Sequence, residues 1–73
     1  MKCNKSSDAY KAAESNAKYF NQPYVVFTDT NGNWRSESLS RMEHVCFAVV
    51  YPDGKILKSS VEMTAGQLIA KYQ

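Results

Sequence analysis

The sequence predicts an α+β fold of order α-β-β-β-β-α: an N-terminal helix, a four-stranded antiparallel β-meander made of two hairpins, and a short C-terminal helix. Three observations predict it. Residues 24–61 alternate β-branched and aromatic runs with two turn signals, Asn31-Gly32 and Pro52-Asp53-Gly54. Ahead of them Tyr10, Ala13, Ala17 and Phe20 recur at i, i+3, i+7 and i+10, a single helical stripe. Behind them Thr64 and Gln67 stand at the spacing of a capping box, followed by apolar Leu68, Ile69 and Tyr72.

The first helix is expected over residues 7–20, with residues 1–6 as a flexible lead. Ser6 or Ser7 serves as N-cap and Asp8 sits in the first turn, where a negative charge is favoured. Glu14 and Lys18 form an i,i+4 pair in the favourable order. Alanine on the stripe lets the helix lie close to whatever it covers. Asn21 accepts the left-handed conformation and Pro23 forbids continuation.

Tyr24-Val25-Val26-Phe27-Thr28 has strand composition. A two-residue loop at Asn31-Gly32 pairs Phe27 with Ser36 and gathers Val25, Phe27 and Trp34 on one face. A three-residue loop with a bulge at Gly32 instead puts Trp34 beside Thr28 and Val26. The shorter loop is the expectation, because it brings Phe27 and Trp34 together. Residues 38–44 read as a loop. Val45-Cys46-Phe47-Ala48-Val49-Val50-Tyr51 is apolar on both faces, as a central strand is. A type I turn at Tyr51-Pro52-Asp53-Gly54 sets Val50 against Ile56, Val49 against Leu57 and Phe47 against Ser59. Cys46, Ala48, Val50, Ile56 and Lys58 then share one face. The last helix, residues 65–72, is short and weakened by Gly66, so it needs docking to persist.

Seventy-three residues make one domain, spanning 1–73. So short a chain buries only roughly 60% of its unfolded surface, and small domains commonly add disulfides, a metal or a partner chain. Cys3 and Cys46 are too few for a disulfide scaffold or a four-ligand zinc site, and read as free thiols of a reducing, cytoplasmic compartment. No apolar run approaches the ~20 residues of a membrane span, and the polar N-terminus is no signal peptide. Nine basic against seven acidic residues, a net charge of +2, are too balanced to point to nucleic acid by field alone.

No catalytic set is evident. His44 and Cys46 stand two apart, the spacing of one strand face, but a histidine at a loop end and a cysteine packed as a small apolar residue account for both. Ligation of a metal by Cys3, His44 and Cys46 needs the N-terminus to fold back. The glycines are scattered and form no phosphate loop. The expectation is a non-enzyme without cofactor or metal.

The sequence does not state a function; it supplies a candidate face. With both helices on the Phe27/Trp34/Phe47/Leu57 side, the other side lacks a roof, unless the last helix crosses to cover it. Cys46, Ala48, Val50 and Ile56, joined by Tyr24 and Val26, then form an apolar patch with Arg35, Arg41, Lys55 and Lys58 at its rim and Met42 as a further anchor, a surface for a larger protein partner. Two copies pairing through it, sheet against sheet or edge to edge, is a second use. A nucleic-acid reading uses Arg35, Arg41, Lys55 and Lys58 beside sheet aromatics. In size and style, not in any motif, the chain resembles the small accessory proteins of phages and mobile elements, many of which bind and block a host protein.

Overall fold

The computed structural model describes residues 5–72, and residues 1–4 of the expected flexible lead lie outside it. Six elements follow in the predicted order: α1 (Ser6–Phe20), β1 (Tyr24–Thr28), β2 (Trp34–Ser38), β3 (Val45–Val50), β4 (Ile56–Thr64) and α2 (Ala65–Lys71). The strands form one open antiparallel sheet.

α1 begins one residue early. Its N-cap is Lys5, without a side-chain hydrogen bond, so neither serine caps it. Ala9, Ala13 and Ala17 form its buried stripe, and the absence of bulk lets it lie close on the sheet. Asn21 ends it at φ 55, and the N–H groups of Asn21 and Gln22 both turn back to the carbonyl of Ala17.

Both hairpins have the same build. In the first, the N–H of Gly32 donates to the carbonyl of Asp29 (3.0 Å) and that of Asp29 to Asn33 (2.9 Å). In the second, Gly54 donates to Tyr51 (3.0 Å) and Tyr51 to Lys55 (2.8 Å). Each glycine sits at positive φ, 81 and 95. These are three-residue loops, a type I turn closed by a left-handed glycine. The two-residue loop expected at Asn31-Gly32 is therefore corrected: Thr28 pairs with Trp34 and Phe27 with Arg35. The cause is Asp29. Its Oδ1 accepts from the N–H groups of Asn31 and Asn33, both at 2.9 Å, and locks the longer turn. In the second hairpin Val50 pairs with Ile56 and Val49 with Leu57, as expected.

The strand order is β2-β1-β3-β4, so β3 lies against β1 and not beside β2 as consecutive strands of a simple meander would. This places the two most apolar strands in the middle, where both faces are covered. α1 lies over β2, β1 and β3, and α2 lies over β3 and β4 on the opposite face. The arrangement with both helices on one side is overturned. The core has two halves: Tyr24, Val26, Ala48 and Val50 beneath α1, with Tyr10, Trp34 and Ile56 around them; and Val25, Cys46, Val49 and Leu57 against Ala65 and Leu68 of α2.

A second correction lies in the β3–β4 ladder. Ala48 pairs with Lys58 but Cys46 with Met63, so residues 59–62 bulge opposite Phe47 alone. Ser59 braces the bulge, its Oγ donating to the carbonyl of Val61 (2.7 Å) and accepting from the N–H of the same residue (3.2 Å). The bulge ends the expected Phe47–Ser59 pairing and exposes Val61. It also reverses the facing of the strand ends. Cys46 joins the α2 side, away from Ala48, and Phe47 turns to the α1 side, its ring 5.2 Å from that of Trp34.

Candidate functional site

The patch expected to be open is core. Val26 and Val50 are 0% exposed and Tyr24 9%, with Ile56 packed at their margin under α1. They cannot meet a partner in the folded chain, because α1 is the missing roof. Lys58 lies on the same side, with Nζ 4.9 Å from the centre of the Tyr10 ring. Arg35, Arg41 and Met42 remain exposed.

The surface that stays accessible is on the other face, along β2 and beside Phe27, with Val25 of the same face sealed in the core. α2 lies over β3 and β4 and leaves this half of the sheet to short cover from the β2–β3 crossover. Its floor is Phe27, partly exposed, with the His44 ring edge-on at 4.9 Å. Arg35 stands across from Phe27, and Glu37 across from Val25, so both project on this face. Arg35 Nε donates to Asp29 Oδ2 at 2.9 Å. Glu37 Oε1 lies 3.7 Å from His44 Nε2, an ion pair only when the imidazole is protonated. His44 Nδ1 lies 3.1 Å from the carbonyl of Val45. The result is one aromatic group within a ring of charges of both signs. The Arg35 guanidinium, and then the Asn33 N–H, hold the Asp29 carboxyl below its ordinary range.

Sequence reading has Arg35 exposed and on one face with Glu37, but it sets both beside Tyr24 and Val26; the longer first loop moves them to the Phe27 face, next to Asp29 and His44, which that reading misses. The alternation Trp-Arg-Ser-Glu-Ser in β2 was the available signal: partly buried residues at 34, 36 and 38 alternate with exposed ones at 35 and 37.

The crossover is fixed by α2. The N–H of Ala65 donates to the carbonyl of His44 and that of Gly66 to Met42, both at 2.8 Å. Thr64 Oγ1 accepts from the N–H of Gln67 (3.1 Å), and Gln67 Oε1 from that of Thr64 (3.2 Å). The predicted capping box is present, and the first-turn donors of α2 are all taken. The far end is tied down by Tyr72, whose hydroxyl donates to the carbonyl of Lys58.

Other chemistry finds little support in the geometry. Cys46 is fully buried, and burial pushes its thiol up against a smaller opposing hydrogen bond from Ala48, so it stays protonated at neutral pH. Cys3 lies outside the described residues, and with it the three-ligand metal set. Among the described residues no three His, Cys, Asp or Glu side chains gather closely enough to hold a metal ion. The four cations of the nucleic-acid reading do not share a face: Arg35 is on the α2 side, Lys58 on the α1 side, Lys55 at the second turn and Arg41 in the crossover. Among the described residues no helix is long and apolar enough to cross a membrane. Comparison of the chain with protein-family models, with curated proteins and with solved structures gives no match.

Proposed function

We propose that this chain is a small non-catalytic interaction protein that acts by occupying, and so blocking, a surface on a larger protein. The contact is the accessible surface along β2, with Phe27 as apolar anchor, Arg35, Glu37 and His44 around it, and Arg41 and Met42 at its border. The observation that carries this reading is the partly exposed Phe27 set among paired charges. An apolar centre with a polar rim is the usual anatomy of a protein contact, and arginine, methionine and aromatic residues are its enriched types. The reading puts the chain in the cytoplasm, supported by Cys46 as a free buried thiol.

The test is affinity capture from the source cell with the full chain and with an Arg41→Glu/Met42→Glu variant. Both side chains are exposed, and circular dichroism verifies that the variant keeps the fold. The expected result is one predominant protein retained by the wild type and lost by the variant. Equal retention by both overturns the assignment of the surface. Retention of nucleic acid, released by moderate salt, favours the other reading.

A further inference from the structure

The sheet has two outer edges, and they are unlike. β4 is broken along its length by the bulge at residues 59–62. β2 is regular over five residues and carries no proline, glycine or bulge. Natural sheets seldom leave such an edge bare, because its unpaired N–H and C=O groups are a template for another strand.

Which of those groups are free follows from the hairpin. Asp29 and Asn33 close it with a backbone hydrogen bond, and Leu39 donates to Pro23 at the other end. Antiparallel ladders alternate. Arg35 and Glu37 therefore direct their backbone groups inward to β1, and Trp34, Ser36 and Ser38 direct theirs outward.

We propose that two copies of this chain pair antiparallel along β2, about a two-fold axis through Ser36, into one eight-stranded sheet. The backbone limits the axis to one that passes through a residue, and charge then selects Ser36. With Ser36 opposite Ser36, Trp34 meets Ser38 of the second copy, and all these residues use their outward groups, giving about six inter-chain hydrogen bonds. In the same register Arg35 stands opposite Glu37 of the second copy, twice, at positions where side chains come closest. An axis between two residues would set outward-turned groups against inward-turned ones, and an axis through Arg35 or Glu37 keeps the outward groups paired but sets like charges face to face.

The layer above agrees. Tyr10 reaches Lys58 on β4, so that flank of α1 faces β4. The opposite flank, which overlooks the free edge of β2, carries Ala12, Asn16 and Tyr19 at i, i+4 and i+7. Tyr19 is 82% exposed. α1 lies over β2, β1 and β3 with its largest contact to β2, so the axis sets the two α1 helices antiparallel across the seam, two to three strand spacings or roughly 10–14 Å apart, within reach of side chains on their facing flanks. Small side chains at 12 and 16 suit that approach, and Tyr19 gains cover. On the other face the two accessible surfaces along β2 fuse into one floor between the two α2 helices. The pairing also supplies the extra burial that a chain of this size commonly needs. It does not depend on the function proposed above, and its readout is mass and not capture.

The test is sedimentation equilibrium on the full chain, with circular dichroism to verify the fold of every variant. The wild type is expected to be a dimer. Arg35→Glu and Glu37→Arg should each weaken it roughly tenfold or more, since each sets like charges opposite one another twice. An equimolar mixture of the two variants should regain a dimer, seen by native mass spectrometry as the mixed species, because one strand is then doubly acidic and the other doubly basic. Ala12→Arg, which leaves β2 untouched, should also weaken the dimer by crowding the helix seam. A wild type that is monomeric at every concentration reached overturns the proposal, as does a dimer whose affinity none of these variants changes. If either β2 variant fails to fold, Ala12→Arg decides alone: unchanged dimer affinity overturns the proposal.

Discussion

Asp29 and Arg35 face each other across the first hairpin, joined by a 2.9 Å hydrogen bond from Nε to Oδ2. The other carboxylate oxygen of Asp29 holds the turn itself, accepting from the N–H groups of Asn31 and Asn33. One side chain thus fixes the loop length, and the loop length fixes the register. The register puts Trp34 under α1 and Arg35 on the opposite face.

The pH dependence of stability should carry the mark of Asp29. Its carboxyl is held below its ordinary range in the folded chain, so the charged form favours folding. That contribution is fully present above the unfolded pKa of about 3.9 and is lost as pH falls through the lower folded value. Asp29→Asn should therefore be less stable than the wild type at neutral pH, with the gap in urea midpoint steady down to about pH 5 and closing below about pH 4. Urea titrations of both proteins across pH 2–7 check this. A gap independent of pH would mean that the charge of Asp29 contributes nothing.

Val50 should behave as core. It is fully buried between Tyr24 on β1 and Ile56 on β4, beneath α1. Val50→Ala should cost about 2–3 kcal/mol through lost transfer energy and the space left behind. Urea denaturation with an unchanged slope would read this out directly. Val50→Asp should not fold, and a native circular dichroism spectrum for it would show that α1 does not seal this face.

The glycines at 32 and 66 should respond in opposite directions to alanine. Nothing lies within 4 Å of a Cβ at Gly32, but its φ is 81, so Gly32→Ala should lose about 1–2 kcal/mol to backbone strain alone. At Gly66 the backbone is helical, and a Cβ would meet Met42 Cβ at 3.4 Å and the Met42 carbonyl at 3.5 Å, close to ordinary contact. Gly66→Ala should gain up to about 1 kcal/mol from helix propensity. Thermal melts of the two variants check the pair of signs.

Much of this architecture is legible along the chain because it is set by local chemistry. The left-handed end of α1 at Asn21, the glycine of the second turn, the Thr64–Gln67 capping box and the alternation of β2 each need only a few neighbouring residues. The first-hairpin register was legible too, in Asp29 at the start of its turn, whose acceptor outweighs the preference of Asn31-Gly32 for a tighter loop. The candidate surface was harder to read. Apolar Val26, Val50 and Ile56 look alike whether a partner or the chain's own helix covers them.

The sequence alone determined the six elements, their order and the pairing of Val49 and Val50 with Leu57 and Ile56, since periodicity and turn residues act over short distances. Only the tertiary structure decided that β3 lies against β1, that α1 and α2 take opposite faces, and that residues 59–62 bulge and turn Cys46 away from Ala48. The physical reason is that β1 and β3 are apolar on both faces. Such strands must be roofed twice, and with only two helices the chain covers both sides by placing one on each, leaving the polar strand β2 at the rim.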